Sequence, residues 1–233
     1  MKVILLGATG MIGQGVLREC LLDPEVTGVL ALGRRPSGQR HPKLVDLVVP
    51  DLLDLAPPAA ALAGHDACFY CLGVSSAGMG EAEYRRVTRD LTLAVAGVLV
   101  GLNPDLTFVY VSGAGTDPTG RAGAMWARVK GETENALLQL PFRRTYLFRP
   151  GLVQPLHGIR SRTWVYRLAY SVVGPLLPVL DRFFPDRVTT TERMGMAMIE
   201  VARHGWPGPV IEAADVNALA RAAAARRAGR PGP

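Results

Sequence analysis

The chain of 233 residues is long enough to bury one substantial core, and we expect a single domain with a small C-terminal extension. Its 48% hydrophobic and 20% charged residues are typical of a packed globular protein and exclude global disorder. The net charge of +6 is carried almost entirely by arginine, since the lysines are Lys2, Lys43 and Lys130 alone. No basic stripe interleaved with aromatic residues accompanies this charge, so we predict no nucleic-acid partner.

A glycine-rich turn follows directly on the first apolar run, residues 3–6, and a helical pattern over 13–22 comes after it. Strand, glycine turn and helix are the parts of a dinucleotide phosphate cradle. The first glycine allows a sharp turn, the second a close approach of the backbone to a pyrophosphate, and the third close packing of the helix on the sheet. The unpaired N–H groups of the first helical turn favour the anion. We therefore predict that the whole turn binds a cofactor: Gly7, Ala8, Thr9, Gly10, Met11, Ile12 and Gly13.

Apolar runs and helical patterns continue to alternate over the first 150 residues. The sequence predicts strands at 26–32, 44–49, 66–71, 106–111 and 145–148, and helices at 55–63, 81–101 and 121–140. Continuous Val, Leu and Ile runs separated by helices are typical of a parallel sheet covered on both faces. With right-handed crossovers, this order predicts an α/β fold, a Rossmann-type doubly wound parallel sheet with a small C-terminal substrate lobe.

The C-terminal third is less regular. We predict a dinucleotide-binding domain over 1–215, with its lobe at about 151–215, and an Ala/Arg-rich tail over 216–233 that forms a helix fraying into disorder. A helix with a threonine N-cap is expected at 190–202, a short strand at 210–212, and a final helix capped by Asp215. The apolar segment 164–184 is interrupted by an arginine and two prolines, so we expect it to cover the substrate pocket. Contact with a membrane surface or a homodimer face is the less favoured alternative.

The three cysteines argue against a metal or redox site. Cys68 and Cys71 form a C-x-x-C pair, but they fall in a predicted strand, where alternate residues face opposite ways. There is no second Cys/His pair at ligand spacing, so no metal is predicted. Reduced thiols and the lack of a signal-peptide pattern predict a cytoplasmic protein.

The ends of the strands suggest which nucleotide is bound. The strand at 26–32 is followed by Arg34 and Arg35 instead of the acidic residue that binds the ribose of NAD. A guanidinium at that point pairs with the 2′-phosphate of NADP, so NADP(H) is the preferred cofactor and NAD(H) is left open. Two further strand ends are predicted to contact the cofactor: Asp51 and Leu52 the adenine, and Cys71, Leu72 and Gly73 the nicotinamide ribose.

Six blocks in order carry a family resemblance: G-A-T-G-M-I-G, L-G-R-R-P, C-L-G-V-S, Y-V-S-G-A-G-T-D, V-K-G-E-T-E and F-R-P-G-L-V. Over about residues 2–202 the chain resembles the atypical short-chain dehydrogenase/reductases, above all the oxidoreductase-like Tat-interacting protein family and its bacterial relatives. The resemblance implies a Rossmann domain that binds NADP(H) and a small C-terminal substrate region. It also implies cofactor contacts from the last block, at Pro150, Gly151 and Leu152.

The same resemblance identifies a missing residue. The superfamily uses a tyrosine as general acid/base, a lysine four residues later, and a serine at the end of the fifth strand. Lys130 and Ser112 match the lysine and the serine and are the predicted catalytic residues, but Trp126 stands where the tyrosine belongs. An indole N–H donates a hydrogen bond and cannot shuttle a proton.

These residues are consistent with two alternative functions, an enzyme and a non-catalytic binding protein. We expect an NADP(H)-dependent oxidoreductase acting on a small carbonyl-type substrate. Another group, with Tyr70, Tyr110 or a water as weak candidates, would then supply the proton, or the proton would come from solvent or substrate. The alternative is a non-catalytic NADPH-binding regulator, sensor or assembly scaffold. Lys130 suits each alternative, because its ammonium can bind the nicotinamide ribose without a tyrosine.

Overall fold

A computed structural model of the protein describes residues 1–55, 59–159 and 187–229. Seven parallel strands form the central sheet in the order β3-β2-β1-β4-β5-β6-β9, and β7 pairs with β8 in a second, two-stranded sheet. The strands are β1 Lys2–Leu6, β2 Gly28–Gly33, β3 Leu44–Val48, β4 Ala67–Tyr70, β5 Thr107–Val111, β6 Arg144–Arg149, β7 Leu152–Gln154, β8 Val188–Thr190 and β9 Val210–Glu212. This order, which reverses between β1 and β4, confirms the predicted Rossmann-type sheet.

The helices cover both faces of the sheet. They are α1 Met11–Leu22, α2 Ala59–Leu62, α3 Glu81–Arg85, α4 Leu91–Leu102, α5 Met125–Leu138, α6 Thr191–His204 and α7 Ala213–Ala228. Alternate residues of each strand supply the two sides of the core, since Val3 and Leu5 pack with α1, α6 and α7, whereas Ile4 and Leu6 pack with α4 and α5. The apolar runs are continuous because both faces are covered.

Three predicted helices differ from the observed ones. Of the helix expected at 55–63, the described residues form a helix only at Ala59–Leu62. The helix expected at 81–101 is divided into α3 and α4 by a π-helical turn, Arg86–Asp90. The helix expected at 121–140 begins only at Met125, because the carboxylate of Asp117 accepts hydrogen bonds from the backbone N–H groups of Arg121 and Ala122. Those bonds hold the preceding residues in a turn.

The described part of the C-terminal tail, residues 216–229, belongs to the packed domain. Helix α7 buries Val216 and Leu219, so the boundary predicted between residues 215 and 216 falls inside a core helix. Arg227 donates to the carboxylates of Glu19 and Asp23, which are both buried on α1 or at its end. An arginine fork matches carboxylates in geometry and charge, so this contact attaches the last helix to the first.

The helix starts near the C-terminus agree in part with prediction. Thr190 caps α6, because its side chain accepts a hydrogen bond from the N–H of Arg193. Asp215, predicted as the cap of the last helix, is its third residue, and Glu212 is the N-cap. The two side chains form a capping box, in which each accepts from the other's backbone N–H.

The segment 164–184 lies outside the described residues. Its predicted role as a pocket cover, and the alternatives of a membrane contact or a homodimer face, stay predictions. Among the helices that the structure describes, none is long and apolar enough to cross a membrane.

Two glycines that carried no signal in the sequence allow α1 and α6 to cross closely. A Cβ on Gly15 would lie 2.5 Å from the backbone oxygen of Thr191. A Cβ on Gly195 would lie 2.8 Å from the side chain of Glu19. Such distances are shorter than any normal contact, so the helices can approach this closely only with glycine on both.

We expect Gly15→Ala to destabilise the protein by about 2 kcal/mol, because overpacking against the backbone of α6 exceeds the gain in helix propensity. Gly97→Ala is the matched control, since Gly97 lies exposed inside α4 with nothing within 4 Å of its Cβ position. It should stabilise by about 0.5–1 kcal/mol. Urea unfolding of both variants measures the effect, and a similar shift in the two would contradict this account of the crossing.

Candidate functional site

The glycine turn between β1 and α1 is shaped by backbone contacts. Gly7 has a φ of +79°, which glycine adopts without strain, and a Cβ there would lie 2.7 Å from the carbonyl carbon of Cys71. A Cβ on Gly13 would lie 2.0 Å from the oxygen of Gly7, so this glycine packs the helix on the turn itself and not on the sheet. Gly10 is the N-cap of α1, and no side chain caps the helix there. The first N–H groups of α1 therefore remain available to an anion.

A first cleft of about 440 Å³ opens at the carboxyl ends of β1 and β2, beside this turn. Its lining residues are Gly7, Ala8, Thr9, Ala31, Leu32, Gly33, Arg34, Arg35, Ser37, Leu52 and Leu72. A crevice outside the carboxyl ends of the strands, at the reversal of strand order, is where open α/β sheets bind ligands.

Arg34 and Arg35 are exposed on the rim of the first cleft. Neither guanidinium forms an ion pair with any residue in the described ranges 1–55, 59–159 and 187–229. The loop after them is held by Ser37, whose N–H and hydroxyl both donate to the carboxylate of Asp46 on β3. The two arginines therefore keep their donors free on a loop that is fixed at one end.

Several predicted cofactor residues do not line the first cleft. Asp51 uses its carboxylate to accept from the N–H of Leu53, which closes a local turn, and only its neighbour Leu52 reaches the cleft. Cys71 packs against the core and Leu72 alone of its strand end lines the cleft. Five other predicted cofactor residues line neither this cleft nor the cleft that contains Lys130: Gly10, Met11, Ile12, Gly13 and Gly73.

A second cleft of about 780 Å³ begins two residues beyond Leu72, at Val74. Its lining residues are Val74, Ser75, Ser76, Tyr84, Gly113, Ala114, Trp126, Lys130, Arg149, Pro150, Gly151, Leu152, Arg187, Glu212 and Ala213. The predicted Pro150, Gly151 and Leu152 lie in this wall. The two clefts meet the sheet at the same edge, so a long ligand in the first can present one end to the second.

Lys130 is half-buried in the wall of the second cleft, on α5. Its Nζ lies 5.5 Å from the ring centroid of Tyr110, over the ring face. Within the described part of the chain, its ammonium has no hydrogen bond or ion pair. Burial lowers the pKa of Lys130 to about 8, and the negative charge of Glu134 opposes that shift.

The carboxylate one helical turn after Lys130 on α5 is bound by another cation. Glu134 is 1% exposed, and both of its oxygens accept hydrogen bonds from the guanidinium of Arg149 at the end of β6. Arg149 also reaches Glu212, with 3.6 Å between Nη1 and Oε1. Burial raises the pKa of Glu212, and Arg149 opposes that change. Arg149, which lines the second cleft, is thus paired with a buried carboxylate behind it, whereas Lys130 in the same wall pairs with no described acid.

Ser112 lies behind the second cleft. It is buried at the end of β5, and its hydroxyl lies 2.9 Å from that of Thr116. Thr116 donates to the carbonyl oxygen of Gly113, so Ser112 is the donor between the two hydroxyls. The proton of Ser112 is thus committed to the loop, and the cleft wall is formed by Gly113 and Ala114 instead.

Trp126 occupies the wall where the superfamily pattern has tyrosine, and its ring packs beside Gly115, whose Cβ position is 3.5 Å from the indole. The two weak candidates for a proton donor are in the core. Tyr70 and Tyr110 are each 1% exposed, burial raises the pKa of both phenols, and neither lines a described cleft. The phenol that does line the second cleft is that of Tyr84, which sequence patterns did not single out.

The cysteines are free thiols. Cys68 packs on the α4–α5 side of the sheet and Cys71 on the α1–α6 side, so the C-x-x-C pair is divided between the two faces. Burial raises the pKa of both thiols, as it does for Cys20. Among the described residues, no cluster of three or more His, Cys, Asp or Glu side chains is arranged to hold a metal ion.

The fold and the two clefts define a Rossmann protein of the short-chain dehydrogenase/reductase type. No family model matches the chain. The curated relatives include protein HTATIP2 of Rattus norvegicus, 33% identical over 65% of this chain and 62% of the relative. They also include the protein fmp52, mitochondrial, of Emericella nidulans, 30% identical over 65% of this chain and 66% of the relative. FMP52, mitochondrial, of Saccharomyces cerevisiae is 30% identical over 70% of this chain and 69% of its own length.

The chain belongs to the family of FMP52 and HTATIP2, within the atypical short-chain dehydrogenase/reductases, and the resemblance drawn from its motifs is confirmed. The match spans somewhat less than two thirds of the Emericella and rat proteins. The fungal relatives are named as mitochondrial, so the prediction of a cytoplasmic location is wrong on this comparison.

Solved structures agree on the fold. The Bordetella bronchiseptica enzyme WbmF in complex with NAD+ is 16% identical, with a TM-score of 0.65 over 99% of this chain and 79% of that one. L-Sorbose reductase of Gluconobacter frateurii, complexed with NADPH and L-sorbose, is 12% identical, with a TM-score of 0.61 over 88% of this chain and 90% of that one.

We expect Arg149→Met to destabilise the protein by about 3–5 kcal/mol, because it leaves the buried carboxylate of Glu134 without a partner. Adding Glu134→Gln removes that charge and should restore at least about 1 kcal/mol. Urea unfolding of the two single variants and the double variant completes the cycle. A double variant as unstable as Arg149→Met alone would show that the unpaired charge is not the cause.

Proposed function

We propose that the protein is an NADP(H)-dependent oxidoreductase acting on a small carbonyl-type substrate. The observation that carries the proposal is the free arginine pair, Arg34 and Arg35, on the rim of the cleft that the glycine turn lines. Two guanidinium groups at the end of β2, neither of which pairs with an acid among the described residues, favour a phosphate over a ribose hydroxyl. The NADPH complex of the sorbose reductase with the same fold supports a nicotinamide cofactor.

The residues present fit this cofactor. The turn leaves no room for a Cβ at Gly7, and the first N–H groups of α1 have no side-chain cap, so the backbone would hold the pyrophosphate. Arg34 and Arg35 would hold the 2′-phosphate, and the ammonium of Lys130 would donate to the nicotinamide ribose. When bound, the reduced cofactor supplies a hydride. The hydroxyl of Ser112 is committed to Thr116 and takes no part in the proposal.

The second cleft would hold the substrate. Its wall combines apolar side chains, among them Trp126 and Leu152, with charged groups that include Lys130, Arg149 and Glu212. A concave site with both apolar surface and placed polar groups suits a small molecule. A carbonyl oxygen oriented toward the ammonium of Lys130 would meet a cation whose charge no described acid pairs.

Titration with NADPH and NADH tests the cofactor. We expect NADPH to bind more tightly than NADH, and Arg34→Ala with Arg35→Ala to weaken NADPH by about 10- to 100-fold, since charge-assisted hydrogen bonds contribute about 1.5–3 kcal/mol. NADH should be nearly unaffected. Arg40→Ala is the matched control, because Arg40 is exposed on the same loop and does not line the first cleft. Equal losses for both nucleotides, or no binding of either, would contradict the proposal.

The second candidate is a non-catalytic NADPH-binding regulator or scaffold, and Trp126 is the observation that favours it. The indole fills the place of the superfamily's acid/base group and supplies no transferable proton. In this alternative the first cleft binds the nucleotide and the second performs no chemistry.

Trp126→Tyr distinguishes the two candidates, with Trp126→Phe as the control that changes the ring and adds no hydroxyl. If the wild type has no reductase activity on an aldehyde and quinone panel and only the tyrosine variant gains it, the regulator is the correct alternative. If the wild type is active, we expect Trp126→Tyr to change its rate by less than about 10-fold, because a donor is already in place. Activity is measured as NADPH oxidation.

A further inference from the structure

Within the proposed oxidoreductase, the proton that completes carbonyl reduction has no assigned source. Tyr70 and Tyr110 are excluded by burial in the core, and Ser112 by its bond to Thr116. The indole of Trp126 does not exchange its proton on the required scale. Among the described residues, the remaining proton-bearing groups in the second cleft are Lys130 and Tyr84, the carboxyl of Glu212, the guanidinium groups of Arg149 and Arg187, and the hydroxyls of Ser75 and Ser76. Serine hydroxyls are much weaker acids than an ammonium and are not among the side chains that general acid catalysis uses.

Geometry favours the lysine among these groups. Guanidinium groups do not release a proton in proteins. Glu212 is half-exposed, contacts Arg149 and caps α7, so its carboxylate already has partners. Tyr84 also has a partner. Lys130, by contrast, lines the cleft, and its ammonium has no hydrogen-bond acceptor among the described residues.

The structure also explains why the lysine is free. Glu134, one helical turn beyond it, is the acid that would otherwise pair with Lys130. Arg149 binds both oxygens of that carboxylate and so prevents a lysine–glutamate pair. Below the ammonium lies the ring face of Tyr110, which stabilises a cation without accepting its proton. The charged and titratable groups that face Lys130 are Tyr84, Tyr110, Glu134, Arg149, Arg187 and Glu212.

We propose that Lys130 is itself the general acid of the reaction, in place of the tyrosine that this chain lacks. The inference rests on the proposed carbonyl reduction. The substrate's carbonyl carbon accepts a hydride from the reduced nicotinamide, which becomes oxidised, and the C=O π pair moves onto oxygen. One N–H bond of Lys130 breaks, its proton goes to that oxygen, and the neutral amine then takes a proton from water. A pKa near working pH suits a general acid, and burial supplies it for this lysine.

The chain contains three lysines, so Lys130 can be observed directly. We would label the intact protein with [ε-¹³C]lysine, assign the signals with Lys2→Arg, Lys43→Arg and Lys130→Arg, and titrate the protein free and saturated with NADPH. The Lys130 signal should titrate with a midpoint of about 8 in the free protein. It should stay well below the ordinary value of about 10.4 in the complex. A midpoint at or above that ordinary value in the complex overturns the inference, whatever the activity.

Kinetics give the second measurement, with 4-nitrobenzaldehyde and NADPH. We expect kcat to fall as pH rises through the midpoint of Lys130, because only the ammonium carries the proton. Lys130→Arg keeps a cation and ribose donors but cannot release a proton, so kcat should fall by about 100-fold or more while the Kd for NADPH changes by less than about fivefold. Lys130→Met should weaken NADPH binding as well.

The outcomes separate the two proposals. If NADPH does not bind, the proposed function fails together with this inference. If NADPH binds and Lys130→Arg keeps the wild-type kcat, or Tyr84→Phe abolishes activity that Lys130→Arg retains, the inference alone fails. A protein that binds NADPH and reduces no aldehyde also overturns it. The NMR titration is read on wild-type protein, so it decides the point even where a variant fails to fold.

Discussion

The site depends first on contacts between backbone atoms at the glycine turn. Gly7 lies against the carbonyl carbon of Cys71, and Gly13 lies against the oxygen of Gly7, at distances that admit no side chain. These contacts begin α1 directly above the turn, with its N–H groups unpaired. They also place the end of β4 beside the turn, so that Leu72 lines the first cleft and Val74 the second. Both clefts therefore depend on one arrangement of backbone.

Arginine serves the interior of this protein as much as its surface. Helices α1 and α6 bury the carboxylates of Glu19 and Glu200, and Arg227 and Arg226 of α7 bind them. A buried carboxylate without such a partner would destabilise the fold, so the last helix is required where its composition alone suggested a loose tail. The same chemistry recurs at Glu134. The excess of arginine in the chain thus reflects internal pairing as well as net positive charge.

Local patterns were sufficient for the sheet and for the first cleft, and long-range contacts were not predictable. Continuous apolar runs indicated six strands within two residues of their observed ends, because both faces of a parallel sheet are buried. The glycine turn and Arg34 follow strands directly, so their place in the sheet followed from the order of elements. In contrast, Gly15 meets Thr191 and Arg227 meets Glu19 across nearly the whole chain. No hydrophobic periodicity or motif within one segment indicates which distant residue it will contact. The commitment of Ser112 to Thr116 likewise depends on a loop conformation that sequence spacing does not specify.

The free energy that is lost by burying the ammonium of Lys130 indicates that this residue has a functional role. The half-buried ammonium of Lys130 forms no hydrogen bond or ion pair with a described residue. The face of Tyr110 and the charge of Glu134 compensate its lost hydration only in part, which is why its pKa is lowered. A methionine in its place would pack against Tyr110 at no such cost. A salt bridge between Glu134 and Lys130 would lower this cost, but the Glu134 carboxylate is bound by Arg149. The protein keeps the ammonium of Lys130 in place at a cost in stability, although Trp126 replaces the tyrosine that such a lysine ordinarily serves. This cost is explained if the ammonium itself binds a ligand or transfers a proton.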